Sequence, residues 1–375
     1  MNTIVRYKMK TKILFIMHMP PPVHGAAMMG QYIHDSKLIN ETFECIYINP
    51  SASQSVAEVG KISLRKIGFL FSNLITIIKT VIREKPDLCY LTPSAWDFGF
   101  YRDWFTIEIL KLIGCNIIVH FHNKGIKSFE KKWYNKLLYK SFFRNIKAIF
   151  LAENLINEFR NYLKPQYTFI CPNGIKPTLN GPYIRKHTHS PYRFLFLSNM
   201  MLEKGVYILL EACSVIKGKG FNFTCDFIGK WSDITEEAFN YKVNELNLND
   251  SVTAYGAKYG DAKKHFFENA DALVFPTYYH GETFGLVLLE AMEYALPCIS
   301  TKEGGIPSVL KNRETGWIIP PQNISELVDR MIRFIQNPNE GLRMGEKGNR
   351  EFLKEYTITS FEKKMHNILK QSIHS

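Results

Sequence analysis

Residues 271–300 read DALVFPTYYHGETFGLVLLEAMEYALPCIS, and this stretch decides the fold. Short apolar runs at 273–276 and 298–300 predict two buried strands. The residues between them, 285–295, have the length and the apolar spacing of a helix. A helix that joins two strands in this way leaves the strands parallel. The segment therefore predicts an α/β protein built on a parallel sheet.

The same alternation extends in both directions along the chain. Strands are predicted at 12–19, 43–49, 87–92, 116–122, 148–152 and 168–171, and again at 194–197, 224–228, 252–255, 273–276, 298–300 and 316–319. Helices are predicted at 26–38, 62–84, 101–113, 130–144 and 153–163, then at 205–217, 235–247, 260–269, 285–295, 323–336, 339–354 and 358–370.

A cluster of proline, glycine and polar residues at 176–191 predicts a linker between the two runs of strands and helices. We therefore expect two doubly wound, Rossmann-like domains, at 1–180 and 190–357, that face each other across a cleft. The C-terminal helix, at about 358–375, is expected to pack back on the first domain. Ligands of such sheets bind outside the carboxyl ends of the strands, so candidate site residues are sought there.

Charge is distributed unevenly between the two halves. The 375 residues carry a formal net charge of +12. Residues 1–180 hold 24 Lys and Arg against 12 Asp and Glu, whereas residues 181–375 hold 23 of each. A basic surplus indicates a partner that carries phosphates. Because no nucleic-acid recognition motif accompanies the charge, nucleic acid is not an expected partner.

Cysteine usage and hydropathy indicate the compartment. The seven cysteines form no CxxC pair, and most lie among apolar neighbours, so they are predicted to be buried thiols in a reducing cytoplasm. The N-terminus does not have the pattern of a signal peptide. The longest apolar stretch, 67–82, is interrupted by polar residues, which favours an amphipathic helix over a membrane span.

Two glutamates frame the start of the helix predicted at 285–295. Glu282 lies in the preceding loop, Gly285 lies where the helix begins, and Glu290 lies within the helix. A helix N-terminus suits a diphosphate, and carboxylates on either side of it can accept hydrogen bonds from sugar hydroxyls. The alternative is an ordinary acidic residue at a helix start for Glu282 and a solvated face for Glu290.

These residues resemble the E-x7-E motif of retaining GT-B glycosyltransferases of family 4. The sequences that carry the resemblance are FGL at 284–286, EAM at 290–292, LPCIST at 296–301, GGI at 304–306 and GWIIP at 316–320. The resemblance covers almost the whole chain and is strongest at 192–355. It implies a GT-B fold and an enzyme that transfers a hexosyl group from a nucleotide diphosphate sugar with retention of configuration.

The resemblance also implies roles for individual residues of this segment. Glu282 would contact hydroxyls of the donor sugar, and Glu290 would bind the nucleotide ribose. Gly285 and Leu286 would offer backbone N–H groups to the diphosphate.

A lysine follows the strand at 194–197. Lys204 precedes Gly205 at a predicted helix start, where it can neutralise a leaving diphosphate, although a solvated lysine is the ordinary interpretation. The segment resembles the G-R-x-x-x-x-K-G run of the family, in which arginine and lysine clamp the phosphates. Lys204 matches that lysine, but Asn199 replaces the arginine. Asparagine can donate a hydrogen bond but carries no charge, so the diphosphate would depend more on Lys204.

Two candidates belong to the first half. Gly25, in the loop after the first strand, resembles the glycine-rich N-terminal loop of the family, which faces the donor phosphate and the acceptor across the cleft, so Gly25 would be a donor-binding residue. The alternative is a tight strand-to-helix turn. His120 and His122 end the strand at 116–122, and strand alternation places them on one side with Phe121 opposite. His122 matches a family histidine that reaches the donor sugar and phosphate. With no carboxylate or cysteine nearby in sequence, a metal is not expected.

Basic residues recur every four positions within the helix predicted at 130–144. Lys132, Lys136, Lys140 and Arg144 form one helical stripe beside aromatic and apolar residues. This combination suits the surface of an anionic bilayer, although a solvated helix face is the plainer interpretation.

The leading hypothesis is a retaining, metal-independent glycosyltransferase whose second domain binds the donor and whose first domain binds the acceptor. Glu282, His122 and Lys204 are its candidate catalytic residues, and no cofactor is expected because the nucleotide sugar is a substrate. The charge and the resemblance favour a lipid-linked saccharide acceptor at the cytoplasmic face of a membrane, as in capsule or lipopolysaccharide assembly. Two alternatives remain: a nucleotide-sugar epimerase of the same fold, and a protein that binds sugar nucleotides without turnover.

Overall fold

A computed structural model describes residues 10–21, 25–50, 64–185 and 188–374 of the chain. It has two parallel sheets, and all twelve predicted strands are present within a few residues of their expected bounds. The chain divides into two units. The first takes in the described residues of Met1–Leu151, Leu155–Pro172 and Ile358–Ser375, and the second takes in Ala152–Asn154 and the described residues of Asn173–Thr357.

The first unit is built on a six-stranded sheet of order β2-β1-β3-β4-β5-β6. Its strands are β1 Lys12–Ile16, β2 Glu44–Ile48, β3 Leu88–Leu91, β4 Ile117–Phe121, β5 Lys147–Phe150 and β6 Thr168–Ile170. Its first helices are α1 Gly25–Asp35, α2 Lys37–Thr42, α3 Leu64–Glu84, α4 Asp97–Leu112, α5 Ile126–Phe129 and α6 Trp133–Phe142. Side chains alternate across the sheet, so that Leu14 and Ile16 pack beneath α3, α4 and α6 while Ile13 and Phe15 pack beneath α1 and α2.

The second unit repeats this plan with a sheet of order β12-β11-β10-β7-β8-β9. Its strands are β7 Tyr192–Leu197, β8 Phe223–Ile228, β9 Val252–Ala254, β10 Ala272–Phe275, β11 Cys298–Thr301 and β12 Gly316–Ile319. Its helices are α7 Val206–Gly218, α8 Glu236–Glu245, α9 Gly260–Asn269, α10 Leu286–Glu293, α11 Ile306–Val309, α12 Ile324–Gln336 and α13 Pro338–Glu351, which a π-helical turn at Phe352–Tyr356 extends.

The last helix, α14 Ile358–His374, belongs to the first unit. Phe361, Met365 and Leu369 are fully buried in the same core as Ile13 and Phe15. Their spacing of four residues puts them on one face of the helix, which explains why it packs against the sheet.

Three predicted helices are wrong in part, because polar side chains hydrogen-bond to the backbone. The predicted helix 26–38 ends early, since Ser36 caps a separate helix by accepting a hydrogen bond from the N–H of Ile39. The predicted helix 130–144 begins late, since Asn135 donates to the carbonyl of Phe129 at the end of α5. The predicted helix 153–163 is a 3-10 helix at Glu153–Glu158, in which the amide of Asn154 donates to the backbone carbonyl of Gly304 in a distant loop.

The linker expected at 176–191 lies, where described, within the second unit, which begins at Asn173. The buried carboxylate of Glu293 accepts hydrogen bonds from the backbone N–H groups of Thr178 and Leu179 and from the Thr178 hydroxyl. Arg185 donates to backbone carbonyls of Phe267 and Glu268. These contacts explain why the boundary falls before the polar segment rather than within it.

All seven cysteines have free thiols, and five of them are buried. Within the described residues, no helix combines the length and the apolar character that crossing a bilayer requires.

Candidate functional site

The candidate site of the second unit lies where the strand order changes direction. β7 is the first strand of its sheet, with β8 on one side and β10 on the other. The loops that follow β7 and β10 therefore leave the same edge of the sheet side by side. This is the place where open parallel sheets bind their ligands.

Glu282 occupies the loop after β10 and is largely buried. Its Oε1 accepts a hydrogen bond of 3.1 Å from the backbone N–H of Gly285, the residue that precedes α10. Its Oε2 accepts one of 2.8 Å from Nζ of Lys204. The carboxylate is thus fixed at a helix N-terminus with a cation on its other side.

Lys204 is the partner cation, and it is not a solvated lysine. Its side chain is only 14% exposed. Nζ lies 4.4 Å from the centre of the Tyr279 ring and 5.7 Å from that of Phe275, so two aromatic faces surround it. Burial, together with the charges of Glu203 and Glu282, raises the pKa of Tyr279, which keeps that ring uncharged beside the lysine.

The two loops are held together by backbone contacts. The N–H of Tyr278 donates to the carbonyl of Glu203 over 2.7 Å. Gly205 has φ +87°, and a Cβ placed there would lie 2.3 Å from the carbonyl oxygen of Pro276. Only glycine allows this close approach. It brings the loop that carries Lys204 next to the loop that carries Glu282.

A third loop, which follows β11, packs against the loop after β10. The N–H of Gly305 donates to the carbonyl of Thr283 over 2.7 Å. Gly304 has φ +49°, and a Cβ there would lie 2.0 Å from the carbonyl oxygen of Glu282. The backbone of Glu282 therefore packs directly against Gly304, where a side chain would clash with it.

Glu290 lies in α10, half-buried, and binds a lysine from the preceding helix. Its Oε1 accepts a hydrogen bond of 2.6 Å from Nζ of Lys263 in α9. The side chain of Glu290 is 26% exposed and that of Lys263 is 28% exposed. Glu290 therefore has a fixed orientation while one part of its carboxylate stays accessible.

The remaining candidates of the second unit differ in their surroundings. The N–H of Gly285 is already bound to Glu282, so in this arrangement it does not face an open anion site. Leu286 is the first residue of α10, and the first N–H groups of a helix have no intrahelical partner. Asn199 is exposed in the loop after β7, two residues beyond the strand.

The candidates of the first unit lie at the carboxyl ends of β1 and β4. Gly25 is the first residue of α1, and the loop residues 22–24 before it lie outside the described residues. His122 directly follows β4, and its ring centre lies 4.1 Å from that of His120. Phe121 packs in the opposite core layer, which confirms the predicted alternation.

His120 is fully buried beneath His122. Burial, with a further contribution from His122, holds the pKa of His120 well below its usual range, so the ring is neutral. Its Nδ1 lies 2.7 Å from the hydroxyl of Tyr90, whose own pKa burial raises. Which of the two atoms donates depends on which ring nitrogen of His120 carries the proton.

Within the second unit the fold brings Lys204, Glu282 and Gly285 into direct contact. Sequence reasoning missed Lys263 and Tyr279, because neither belongs to a motif and each contributes through a contact with another loop or helix. Gly304 was noted only as part of GGI at 304–306, and its contact with the backbone of Glu282 was not expected. Among the described residues, no group of three His, Cys, Asp or Glu side chains is placed to hold a metal ion.

The four residues of the predicted basic stripe are all exposed. Lys136 and Lys140 lie in α6, whereas Lys132 precedes the helix with extended backbone and Arg144 follows its end. The expected stripe of four in one helix is thus a helical pair flanked by two further bases.

Comparison with known proteins gives matches in both sequence and fold. Residues 183–351 match the family model described as glycosyl transferases group 1. The amylovoran biosynthesis glycosyltransferase AmsK of Erwinia amylovora is 29% identical over 167 residues, which cover 44% of this chain and 40% of that protein. The capsular polysaccharide biosynthesis glycosyltransferase CapM of Staphylococcus aureus is 24% identical over 298 residues, covering 75% and 76%. The match thus spans less than half of the length of AmsK.

Among solved structures, Anabaena Alr3699/HepE in complex with UDP and glucose superposes with a TM-score of 0.68. The likeness covers 96% of this chain and all of that one, at 14% sequence identity. An identity this low is evidence of the fold alone. Together with the two parallel six-stranded sheets, it confirms the predicted two-domain α/β fold of GT-B type.

Proposed function

We propose that the chain, whose residues 183–351 match the family model described as glycosyl transferases group 1, transfers a sugar from a nucleotide diphosphate sugar to a saccharide acceptor with retention of configuration. The observation that carries the proposal is the contact between Lys204 and Glu282 at the N-terminus of α10. It brings together a cation, a carboxylate and a helix dipole at the switch point of the second sheet. The cation and the helix N-terminus can bind a diphosphate, and the carboxylate can accept hydrogen bonds from the attached sugar.

Lys204 is the proposed partner of the leaving diphosphate. An ammonium group has three N–H donors, and Glu282 takes one of them. The two others are available for phosphate oxygens, and stabilising the charge that develops on the leaving group lowers the barrier to transfer. Because the lysine is already held by Glu282 and Tyr279, little side-chain freedom is lost when the donor binds.

Glu282 is the proposed contact for donor sugar hydroxyls. A carboxylate accepts about four hydrogen bonds, and two of them are used by Lys204 and Gly285. The remaining acceptor positions can bind hydroxyls without loss of the existing contacts. Glu290, fixed by Lys263, is the proposed contact for ribose hydroxyls, and the N–H of Leu286 is the proposed donor to the diphosphate.

The first unit is proposed to hold the acceptor, with Gly25 and His122 at the carboxyl edge of its sheet. In this mechanism the protein supplies no nucleophile and no metal, and catalysis is mainly electrostatic. The proposed acceptor is a lipid-linked saccharide at the cytoplasmic face of a bacterial membrane. CapM, with its named role in capsular polysaccharide biosynthesis, supports a surface polysaccharide as the product class.

The decisive test is a screen of nucleotide sugars by thermal shift, followed by transfer assays with the donors that bind. A true donor is expected to raise the melting temperature by mass action. NMR of the product should show the donor's anomeric configuration retained. Conversion of the donor to an epimer without an acceptor would mean an epimerase. Binding without any turnover in the presence of bacterial membranes would mean a sugar-nucleotide binding protein.

The basic residues give a separate prediction about the acceptor side. Replacing Lys132, Lys136, Lys140 and Arg144 by glutamine is expected to weaken binding to anionic vesicles, because each cation near such a surface contributes about 1 kcal/mol. The affinity for UDP-sugar is expected to stay unchanged, since these residues belong to the other unit. Vesicle flotation and calorimetry measure the two quantities. Equal loss of both affinities would contradict the proposed role of these residues.

A further inference from the structure

Helices α3, α4 and α6 lie side by side over one face of the first sheet. α4 packs against both of its neighbours. Lys111 of α4 donates to the carbonyls of Ser141 and Phe142 at the end of α6, and Tyr101 of α4 donates to the side chain of Asn135 in α6. The three helices therefore form one continuous layer whose outer side faces away from the sheet.

This outer side is apolar to an unusual degree. More than half of the large apolar side chains that are exposed in the described part of the chain lie on these three helices or at their ends. The rest are scattered singly over both units, which is normal for a folded protein. A contiguous exposed apolar area of this kind marks an interaction surface.

On α4 the exposed apolar residues form a straight line. Phe98, Phe105 and Leu112 are seven residues apart, which is almost two helical turns, so they project in one direction. Leu112 is 87% exposed. The opposite face of α4 packs into the core through Phe100, Ile107 and Leu110. A helix that packs on a sheet needs only one apolar face, and α4 has two.

α3 repeats the pattern next to it. Phe71, Ile75 and Ile82 share one outward face and are 62%, 51% and 61% exposed. We call these three residues, together with Phe98, Phe105 and Leu112, the outer ridge. Trp133 and Leu137 of α6 continue it on the far side of α4.

Cations border the outer ridge on both sides. Lys79 and Arg83 are exposed on α3, and Lys136 and Lys140 are exposed on α6. Of the acidic residues of α4 between them, Asp97 is exposed, whereas Asp103 and Glu108 are paired within the layer. Asp103 pairs with Arg102 and Glu108 pairs with Lys111.

We propose that the outer ridge inserts into the headgroup region of an anionic bilayer while the flanking bases bind its phosphates. The proposal rests on the proposed function, because a membrane-borne acceptor is what would require the first unit to dock there. An apolar strip with exposed tryptophan and lysines on its borders is the composition of a surface that lies in a membrane interface.

The charge distribution argues against a second copy of the chain as the occupant. In a two-fold symmetric contact the ridge would face an identical ridge, and the bases on its borders would face bases. Like charges at such a contact repel, whereas anionic lipid phosphates would pair with the same bases.

The test replaces Phe98, Phe105 and Leu112 by serine in the full chain. All three are exposed, so the melting temperature is expected to stay unchanged. A control replaces Tyr241 and Tyr259 by serine, two residues of the second unit that are more exposed than Phe98 and Phe105. Both proteins are sedimented with phosphatidylglycerol vesicles at low salt and at about 1 M salt, where the Debye length falls to about 3 Å.

At low salt the ridge variant is expected to keep most of its binding, because the bases remain. At high salt its partition into vesicles should fall at least about tenfold below that of wild type and control, since the remaining binding depends on buried apolar area. As a second readout, brominated lipids should quench Trp133 in wild type, with Trp133→Phe as the reference.

Two results would overturn the proposal. The first is a ridge variant that binds vesicles as wild type does at both salt concentrations, with Trp133 not quenched. The second is a wild-type dimer that the ridge substitutions convert to a monomer without any effect on vesicle binding. Neither readout needs a donor, so failure of the proposed sugar transfer would leave this result separately interpretable.

Discussion

Replacing Glu282 by glutamine is expected to lower kcat for sugar transfer by at least about 100-fold, the range seen when one fixed polar group is removed from a site of charge development. Glutamine has nearly the same shape, but its amide presents one oxygen and one NH2 group. Whichever way the amide turns, the NH2 group faces either Lys204 or the N–H of Gly285, and both of these are donors. Glutamine therefore cannot accept hydrogen bonds from both Lys204 and the N–H of Gly285. Lys204 also loses the negative charge that orients it.

The affinity for UDP is expected to change by less than about threefold in the same variant, because Glu282 is proposed to contact the sugar rather than the nucleotide. Isothermal calorimetry with UDP and steady-state kinetics with the full donor separate the two effects. The combination of lost kcat and retained UDP binding is what a residue that acts on the transferred sugar should give.

Glu293→Gln is the matched control. Glu293 is the last residue of α10, is also buried, and binds Thr178 and Leu179 rather than any residue of the site. This substitution is expected to lower the melting temperature, because it removes a buried acceptor of several hydrogen bonds, while kcat stays near that of wild type. If Glu282→Gln kept kcat within about threefold of wild type, the assignment of the site would be wrong.

The strands could be predicted from the sequence because strands of a parallel sheet are buried on both faces. Such strands appear as continuous apolar runs, and Leu88–Leu91 and Ala272–Phe275 are buried at every position. The breaks in the helices could not be predicted, because they depend on single hydrogen bonds. Asn135 interrupts a helical pattern only because the end of α5 lies within its reach.

The site could be predicted only as separate pieces. Lys204 was expected beside the diphosphate and Glu282 beside the donor sugar, but the two were not expected to bind each other. They are 78 residues apart, and their contact exists because β7 and β10 are neighbours in the sheet. The Lys263–Glu290 pair depends in the same way on how α9 and α10 lie against each other. In contrast, the shared side of His120 and His122 followed directly from the two-residue period of a strand.

Gly304→Ala is the second substitution with a large expected effect, although Gly304 contacts no substrate in the proposed mechanism. Alanine at φ +49° costs about 1–2 kcal/mol from the left-handed backbone alone. Its Cβ would also meet the carbonyl oxygen of Glu282 at 2.0 Å, so the loop that carries Glu282 must move. A displacement of about 1 Å at a catalytic group lowers the rate on the order of 100-fold.

Gly220→Ala separates the effect of the left-handed backbone from the effect of the clash. Gly220 also has a positive φ, +83°, but no atom lies within 4 Å of the position that its Cβ would occupy. Chemical denaturation should show that the left-handed backbone lowers the free energy of unfolding of both variants. The clash should lower that of Gly304→Ala by about a further 1–3 kcal/mol. Only Gly304→Ala should lose sugar transfer, because only there does relief of the clash shift Glu282 away from Lys204. If the two variants lost equal stability and both kept full activity, the third loop would have no part in positioning the carboxylate.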